Sequence, residues 1–391
     1  MTYDAALFAF TDPTQLCLEI SPTAQNQAQQ QSQSFSTLSS RWNAYLNQIS
    51  LSAILSWLRE EYEPRAKAWP SVGALPSGWE VVNGTAIELG TTRFVFIVSE
   101  AIDLSELRVP QEWVDIPSWV GDYYLAVQVD PDNGWLRIWG YCTHQQLKTR
   151  GNYDASDRTY SLDESDVIPD INALWVARQL CPEEATRTEV APMTPLSSTQ
   201  AENLIQRLAN TAITAPRLEV PFAIWGALLE HGGWRERLYE RRQGLPEQWS
   251  ILQWLRMGVS EVGQQLGWGR VEFQPSFAGA RSAEPTPMLT ALSRRLDIAG
   301  QQYELQVIPL GNPEERSWRF ELRNLSIGTS IPGGFTLRLL TEDLQPFENN
   351  EDIATTAVDQ LYVDVILAPG EGLVWEIEPG PENYEREILR F

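Results

Sequence analysis

A thiol and an imidazole stand two positions apart at Cys142 and His144, in GYCTHQQL (140–147). The chain has only two His and three Cys, so the pair invites three readings. A zinc site wants about four ligands from Cys, His or carboxylate, usually in close pairs. Only Cys17, Cys181 and His231 remain, and no second close pair exists. A hydrolase nucleophile and its base need hydrogen-bond reach of each other. Residues i and i+2 of one strand are roughly 7 Å apart on the same face, too far without a bend. The third reading is adopted: Cys142 is a small core residue, and His144 sits at the sheet margin. No metal and no cofactor is expected.

Other constellations stop short of a signature. DPDNG (130–134) lacks the closing Glu of a calcium loop, position 141 being Tyr. FENNEDI (347–353) reads as a solvated turn. HGGW (231–234) has the form of an esterase oxyanion loop, but no G-x-S-x-G elbow accompanies it, so a helix break is expected. No G-x-x-x-x-G-K-[ST] phosphate loop occurs. Lys148 reads as a solvated charge. Arg235, Arg237, Arg241 and Arg242 form a basic cluster in which Glu236 and Glu240 alternate. A salt-bridged helix face is expected there, the other reading being a contact for an acidic partner or for this chain's own acidic segments. Of the sixteen Trp, Trp113, Trp119 and Trp135 flank loops and are the candidates for an exposed interaction platform. Trp318 and Trp375 are the candidate sugar-stacking residues of the C-terminal segment.

The bulk of the chain limits what these groups can serve. Its 391 residues, 43% hydrophobic and 21% charged, suggest two or three domains with real cores. The net charge of −23 is spread as −11 over 1–180, −2 over 181–280 and −10 over 281–391. Direct nucleic-acid binding needs a basic footprint and is disfavoured, as is binding to anionic lipid. A basic or regulatory protein partner is compatible with the charge, and so is plain solubility. The longest strongly apolar run, FVFIV (94–98), is far below the roughly 20 residues of a membrane helix. MTYDAALFAFTDPTQ lacks the features of a signal peptide. Three dispersed cysteines argue for a reducing, cytoplasmic setting.

The elements that must position the candidates read as α+β. Residues 1–181 form a mixed helix and antiparallel-sheet domain with a small curled sheet. ALFAF and QLCLEI look like a strand pair. Ser21 caps a helix that begins at Pro22, although the Gln-rich run reads equally as a loop. Phe35, Leu38, Trp42, Tyr45 and Ile49 make one apolar stripe of a helix ending near Tyr62, before Pro64. Strands follow around Asn83-Gly84 and Gly90. DYYLAVQV and WLRIWGYCTHQQL flank DPDNG as a hairpin. In its second strand Leu136, Ile138, Cys142 and His144 are expected on one face. INALWVARQL (171–180) reads as a closing helix.

Residues 182–200 and 274–288 read as linkers. Between them, 201–273 is a helical segment. TQAENLIQRLAN is capped by Ser198 or Thr199, AIWGALLEHGGWRERLYERR is interrupted at Gly232-Gly233, and Ile251, Leu255, Val259, Val262 and Leu266 share a stripe. Residues 289–391 hold about seven short alternating runs, an antiparallel β-sandwich.

The run VPQEWVDIPSWVGDYYLAVQVDPDNGWLRIWGY, the helix WSILQWLRMGVSEVGQQLGW and the late β segment together resemble a family of unknown function found mainly in cyanobacteria. The resemblance covers most of the chain, through Trp, Tyr and apolar patterns and no catalytic signature. It implies a cyanobacterial, cytoplasmic protein with no activity to carry over. Family genes near those for sigma-type transcription factors and caspase-like proteases imply a regulatory or partner-binding role, with no residue assigned. The expected function is therefore non-enzymatic protein binding. Ligand binding by the sandwich and a Cys142/His144 hydrolase are the alternatives.

Overall fold

The computed structural model describes residues 15–181, 183–273, 289–311, 316–326, 328–382 and 384–391. The expected strand ALFAF and the expected linker 274–288 lie outside them. The chain divides into two compact units. The first holds Met1–Trp69, Leu75–Pro195 and Ile205–Glu230, the second Pro70–Ala74, Leu196–Leu204 and His231–Phe391. The middle segment is thus not a unit of its own. Its helices bury their apolar faces in different cores, because each is too short to be stable alone.

In the first unit, β1 (Leu16–Glu19), β2 (Lys67–Trp69), β3 (Thr85–Leu89), β4 (Thr92–Ser99), β6 (Tyr123–Asp130) and β7 (Trp135–Thr143) form one sheet, ordered β1-β7-β6-β4-β3-β2. A second sheet, ordered β5-β9-β8, holds β5 (Glu106–Pro110), β8 (Asn152–Asp154) and β9 (Thr159–Asp163). The larger sheet is mixed where an antiparallel one was expected, since β4 and β6 run parallel. Parallel neighbours need a crossover, here the chain through β5 and α4 (Gln111–Asp115). The β6–β7 hairpin turns as expected, with Gly134 at φ +69°, a left-handed backbone that costs glycine nothing.

α1 (Pro22–Ser32) starts where Ser21 accepts from the Ala24 N–H, at 3.1 Å. α2 (Leu38–Glu61) starts at Thr37 with a reciprocal capping box to Ser40. Its expected stripe is buried only in part. Phe35 and Ile49 are buried, but Leu38 is 81% exposed and Trp42 48%, and Ala44, Asn47, Ser50, Ile54 and Leu58 are buried as well. Small and polar residues build much of that face, so apolarity alone locates it incompletely. Short α3 (Leu75–Trp79) and α5 (His144–Arg150) follow, and α6 (Ile171–Leu180) spans the expected residues. Residues 183–197 form no helix or strand. α7 (Ser198–Leu208) is capped by Ser197, which accepts from the Gln200 N–H at 3.3 Å. α8 (Phe222–Glu230) belongs to the first unit.

In the second unit, α9 (Gly232–Arg242) begins at the expected break, with His231 as its cap. The stripe from Ile251 to Leu266 is divided between two helices and the residues at their ends, with Ile251 and Leu255 on α10 (Ile251–Met257), Val259 between, Val262 on α11 (Glu261–Gln265) and Leu266 just after it. The helices part at Gly258, φ +103°, yet all five stripe residues pack in or against the sandwich core. β10 (Trp268–Phe273) corrects the end of the expected helical segment, for it pairs with β11 (Leu289–Ile298). With β12 (Gln301–Leu310), β13 (Ser317–Asn324) and β16 (Gln360–Ile366) they make a sheet ordered β10-β11-β12-β13-β16. β14 (Thr336–Thr341), β15 (Glu351–Ile353), β17 (Gly372–Glu378) and β18 (Leu389–Arg390) make the other, ordered β15-β14-β17-β18. Every pair in these two sheets is antiparallel. Their inner faces share one core that includes Leu305, Phe320, Leu339 and Trp375. Each such side chain is worth about 1.5–3 kcal/mol on burial.

Candidate functional site

Cys142 and His144 are separated by their surroundings. Val127 pairs with Ile138 and Ala126 with Gly140, so Trp139 is an extra residue in β7. Such a bulge reverses the alternation beyond it. Leu136 and Ile138 therefore share a face with Tyr141 and Thr143, and Cys142 points to the opposite side. His144 is the first residue of α5, fully buried and not at a sheet margin. Its Nε2 lies 3.0 Å from the Val114 carbonyl, and its Nδ1 accepts from the Thr188 N–H at 3.1 Å. A carbonyl only accepts and an amide N–H only donates, so Nε2 carries the hydrogen. Both nitrogens are engaged, and neither serves the thiol. Burial lowers the pKa of His144 and pushes the Cys142 thiol up to about 12. A thiol held protonated is a poor nucleophile. Among the described residues no group of three or more His, Cys, Asp and Glu could hold a metal ion.

The tryptophan platform does not form from Trp113 and Trp119, which are 4% and 3% exposed. They pack with Trp69, ring centroids 5.0–6.1 Å apart, and the Trp113 indole donates to the Asn83 carbonyl at 2.8 Å. Trp135 is half-buried at the start of β7. Trp318 and Trp375 lie in the sandwich core and offer no face to a sugar. Lys148 is no solvated charge either. Its Nζ donates to Asp115 and to the Tyr160 hydroxyl, both at 2.8 Å, and that hydroxyl donates to Asp115 at 2.9 Å. Burial works against the Lys148 charge, but these bonds raise its pKa overall. Burial likewise raises the pKa of Tyr160. A charged lysine beside a neutral phenol offers no base at neutral pH.

The arginine cluster is satisfied within the second unit. Arg235 pairs with Glu385. Arg237 reaches Glu202 and Glu342, each at 2.7 Å, and Arg241 reaches Glu202 at 2.8 Å. Arg242 is buried. The salt-bridged reading thus describes α9, with acidic residues of the same unit as partners. Nearby, Glu387 accepts from the Trp268 and Trp375 indoles at 3.0 and 2.7 Å and pairs with Arg294 at 2.6 Å. A cavity of about 20 Å³ among Arg235, Arg294, Glu385 and Glu387 has room for roughly one water. Most of these charges hold structure together, while the Arg241 side chain stays 41% exposed beside Glu202.

The group left unsatisfied was not singled out from the sequence. Arg178 lies on α6, two turns after Ile171, whose buried side chain, with that of Leu174, anchors the helix. Its guanidinium carbon stands 5.2 Å from the Phe94 ring centroid and 5.7 Å from that of Trp175. Its hydrogen bond to a protein group is a long one, 3.4 Å to the Thr92 hydroxyl. Among the described residues no carboxylate lies within ion-pair distance of it. Burial lowers its pKa, yet a guanidinium keeps its charge at any physiological pH. Tyr62 stacks on Trp175 at 4.0 Å and 20°, and the Trp175 indole N–H is buried without a hydrogen-bond partner.

Two adjoining hollows, of about 450 and 550 Å³, share Thr91, Thr92 and Arg178 in their walls. That is the size range of ligand sites. Asp122 lines the second hollow but is spoken for. It accepts from Arg187 at 2.7 and 2.9 Å, from Thr186 at 2.8 Å and from the Arg93 N–H at 2.7 Å. Tyr62, in the wall of the first hollow, is 42% exposed, and α6 exposes Val176 (52%) and Leu180 (75%) on the face turned away from Arg178. An arginine in a helix that is apolar on two sides was the available signal.

No curated protein matches the chain, and no solved structure does. The family described as Protein of unknown function (DUF1822) matches residues 18–390. The match takes in the sheets of both units and the groove at Arg178, and the chain therefore belongs to the DUF1822 family.

Proposed function

We propose that this is a non-enzymatic protein of the cyanobacterial cytoplasm that binds another protein, and that the groove along α6 receives a segment of that partner. The observation that carries the reading is the unpaired, half-buried Arg178 in the wall of a hollow that also holds the stacked Tyr62 and Trp175 rings. Binding hot spots are enriched in aromatic and arginine anchors of this kind. The three free cysteines agree with a reducing compartment. No helix among the described residues is long and apolar enough to cross a membrane. The hydrolase alternative is not favoured, because neither nitrogen of His144 is available to Cys142.

A photo-crosslinker placed at the exposed Gln179, in the wall of the first hollow, with a second at the 92% exposed Ile102 as control, tests the reading in the native cell. One discrete adduct is expected at 179 and none at 102. A synthetic peptide of the captured segment should then bind the purified chain and lose at least tenfold in affinity to Tyr62→Ala. Identical adducts at both positions, or a peptide indifferent to Tyr62→Ala, would sink the proposal.

A further inference from the structure

Resting on that reading, we infer that the groove is anchored by a single carboxylate, an Asp or Glu side chain of the partner segment, held by Arg178 with an apolar neighbour on the Tyr62–Trp175 stack. Three observations converge on it. The Arg178 guanidinium presents its donors to the hollows with one long bond to Thr92 as its contact, so most of its five N–H groups remain for an acceptor. Trp175 lines the same hollow, and its buried indole N–H also lacks an acceptor. Donors without acceptors in a partly desolvated site call for an acceptor oxygen, and a carboxylate matches the planar fork of a guanidinium. The stacked Tyr62 and Trp175 rings supply the apolar platform beside it.

The surrounding charge sets how much negative charge fits. Arg178 and Arg187 face Glu63, Asp122 and Glu184 around the two hollows. Asp122 and Arg187 neutralise each other through a two-pronged bond. What remains is one guanidinium with Glu63 and Glu184. A monoanion gains the Arg178 contact against the repulsion of these two carboxylates. A phosphate dianion meets the same two carboxylates with nearly twice the charge. The site thus accommodates an acidic side chain better than a phosphorylated one.

The test uses the full-length chain, ¹⁵N-labelled, with the Trp175 indole resonance assigned through Trp175→Phe. Four acetylated peptides are titrated: acetyl-Leu-Glu-Leu-amide, its Gln counterpart, its phosphoserine counterpart, and acetyl-Leu-Gln-Leu with a free C-terminus. The Glu peptide should shift the Trp175 indole and Arg178 Nε signals saturably. The other three should bind at least tenfold more weakly, and Arg178→Gln should erase the preference for Glu. Arg178 makes no ion pair, so this variant should fold, as its unfolding curve will show. No saturable shift, an equal response to Gln, a stronger response to phosphoserine or to the free C-terminus, or a preference that survives Arg178→Gln overturns the anchor. If the anchor fails while crosslinking at Gln179 still yields a Tyr62-dependent partner, docking along α6 stands alone. If crosslinking fails, that reading falls with it.

Discussion

Two sites, one in each unit, treat charge in opposite ways. Around α9 in the second unit, the buried Arg235 and Arg294 and the largely buried Arg237 each meet a carboxylate of the same unit, and Glu387 also takes two indole N–H groups. At α6 in the first unit, Arg178 is half-buried on two aromatic rings, and among the described residues no carboxylate is within ion-pair distance of it. A buried charge with its partners in place closes a structure. One without them is an opening for something else. The α9 arginines stand out in sequence as a cluster and prove structural. Arg178 stands alone in sequence and is the better candidate for binding.

Breaking a closed pair should produce the largest effect. Glu387→Ala leaves the Arg294 charge and the Trp268 and Trp375 indoles without their acceptor. It should cost about 3–5 kcal/mol, the range for removing one member of a buried pair. Urea unfolding checks this, through a lower midpoint at unchanged slope. A loss below 1 kcal/mol would mean that water already serves these groups.

Glu240 is next. Burial, followed by the Glu236 charge, raises its pKa from 4.5 to about 9. The folded state therefore binds a proton that the unfolded state releases between those values. Stability from this group is full below pH 4.5 and falls as pH rises toward 9. Glu240→Gln keeps the acceptor for the Gln248 N–H and removes the titration. It should stabilise the chain by on the order of 2 kcal/mol at pH 8 and flatten the slope above pH 5. Parallel pH profiles for the two proteins would contradict the assignment.

His231 works in the reverse sense. Burial, followed by the Arg386 charge, lowers its pKa from 6.5 to about 3. The unfolded state binds the proton first, so stability is lost as pH falls from 6.5 toward 3. His231→Asn retains a cap for α9 and should soften that acid slope by about 1 kcal/mol between pH 6.5 and 4.5. Unchanged acid unfolding would remove His231 from the account.

The smallest effect on stability should come from Arg178→Gln, within about 0.5 kcal/mol of the parent, because no pair is broken. A loss above 2 kcal/mol would erase the contrast between the units and make Arg178 structural too.

What could be read from sequence follows from locality. The β6–β7 hairpin is legible because alternation and the DPDNG turn sit within two dozen residues. The sandwich is legible because its turns punctuate regular runs. The Trp139 bulge is not, since one added residue leaves the composition of β7 unchanged while reversing the side that Cys142 faces. The buried face of α2 is legible only in part, because Asn47 and Ser50 are buried by their neighbours and not by their own polarity. For Arg178 the deciding fact is an absence: among the described residues no carboxylate lies within ion-pair distance, and its neighbours are as distant in sequence as Thr92 and Phe94. Long-range neighbours set that, and a single sequence does not display them.

The bulge at Trp139 bears on how the chain tolerates a change of length. One rail of the β6–β7 ladder carries a rung's worth of extra chain, and the flanking pairs Val127–Ile138 and Ala126–Gly140 are already in place. Deleting Trp139 would join those pairs into an even ladder without moving either partner strand, so the loss is limited to its buried side chain. Deleting Arg137 instead would drag Leu136 and all that precedes it out of step. Here a missing residue is gentler than a misplaced one, and the sheet holds a spare position that a shorter relative of this chain can do without.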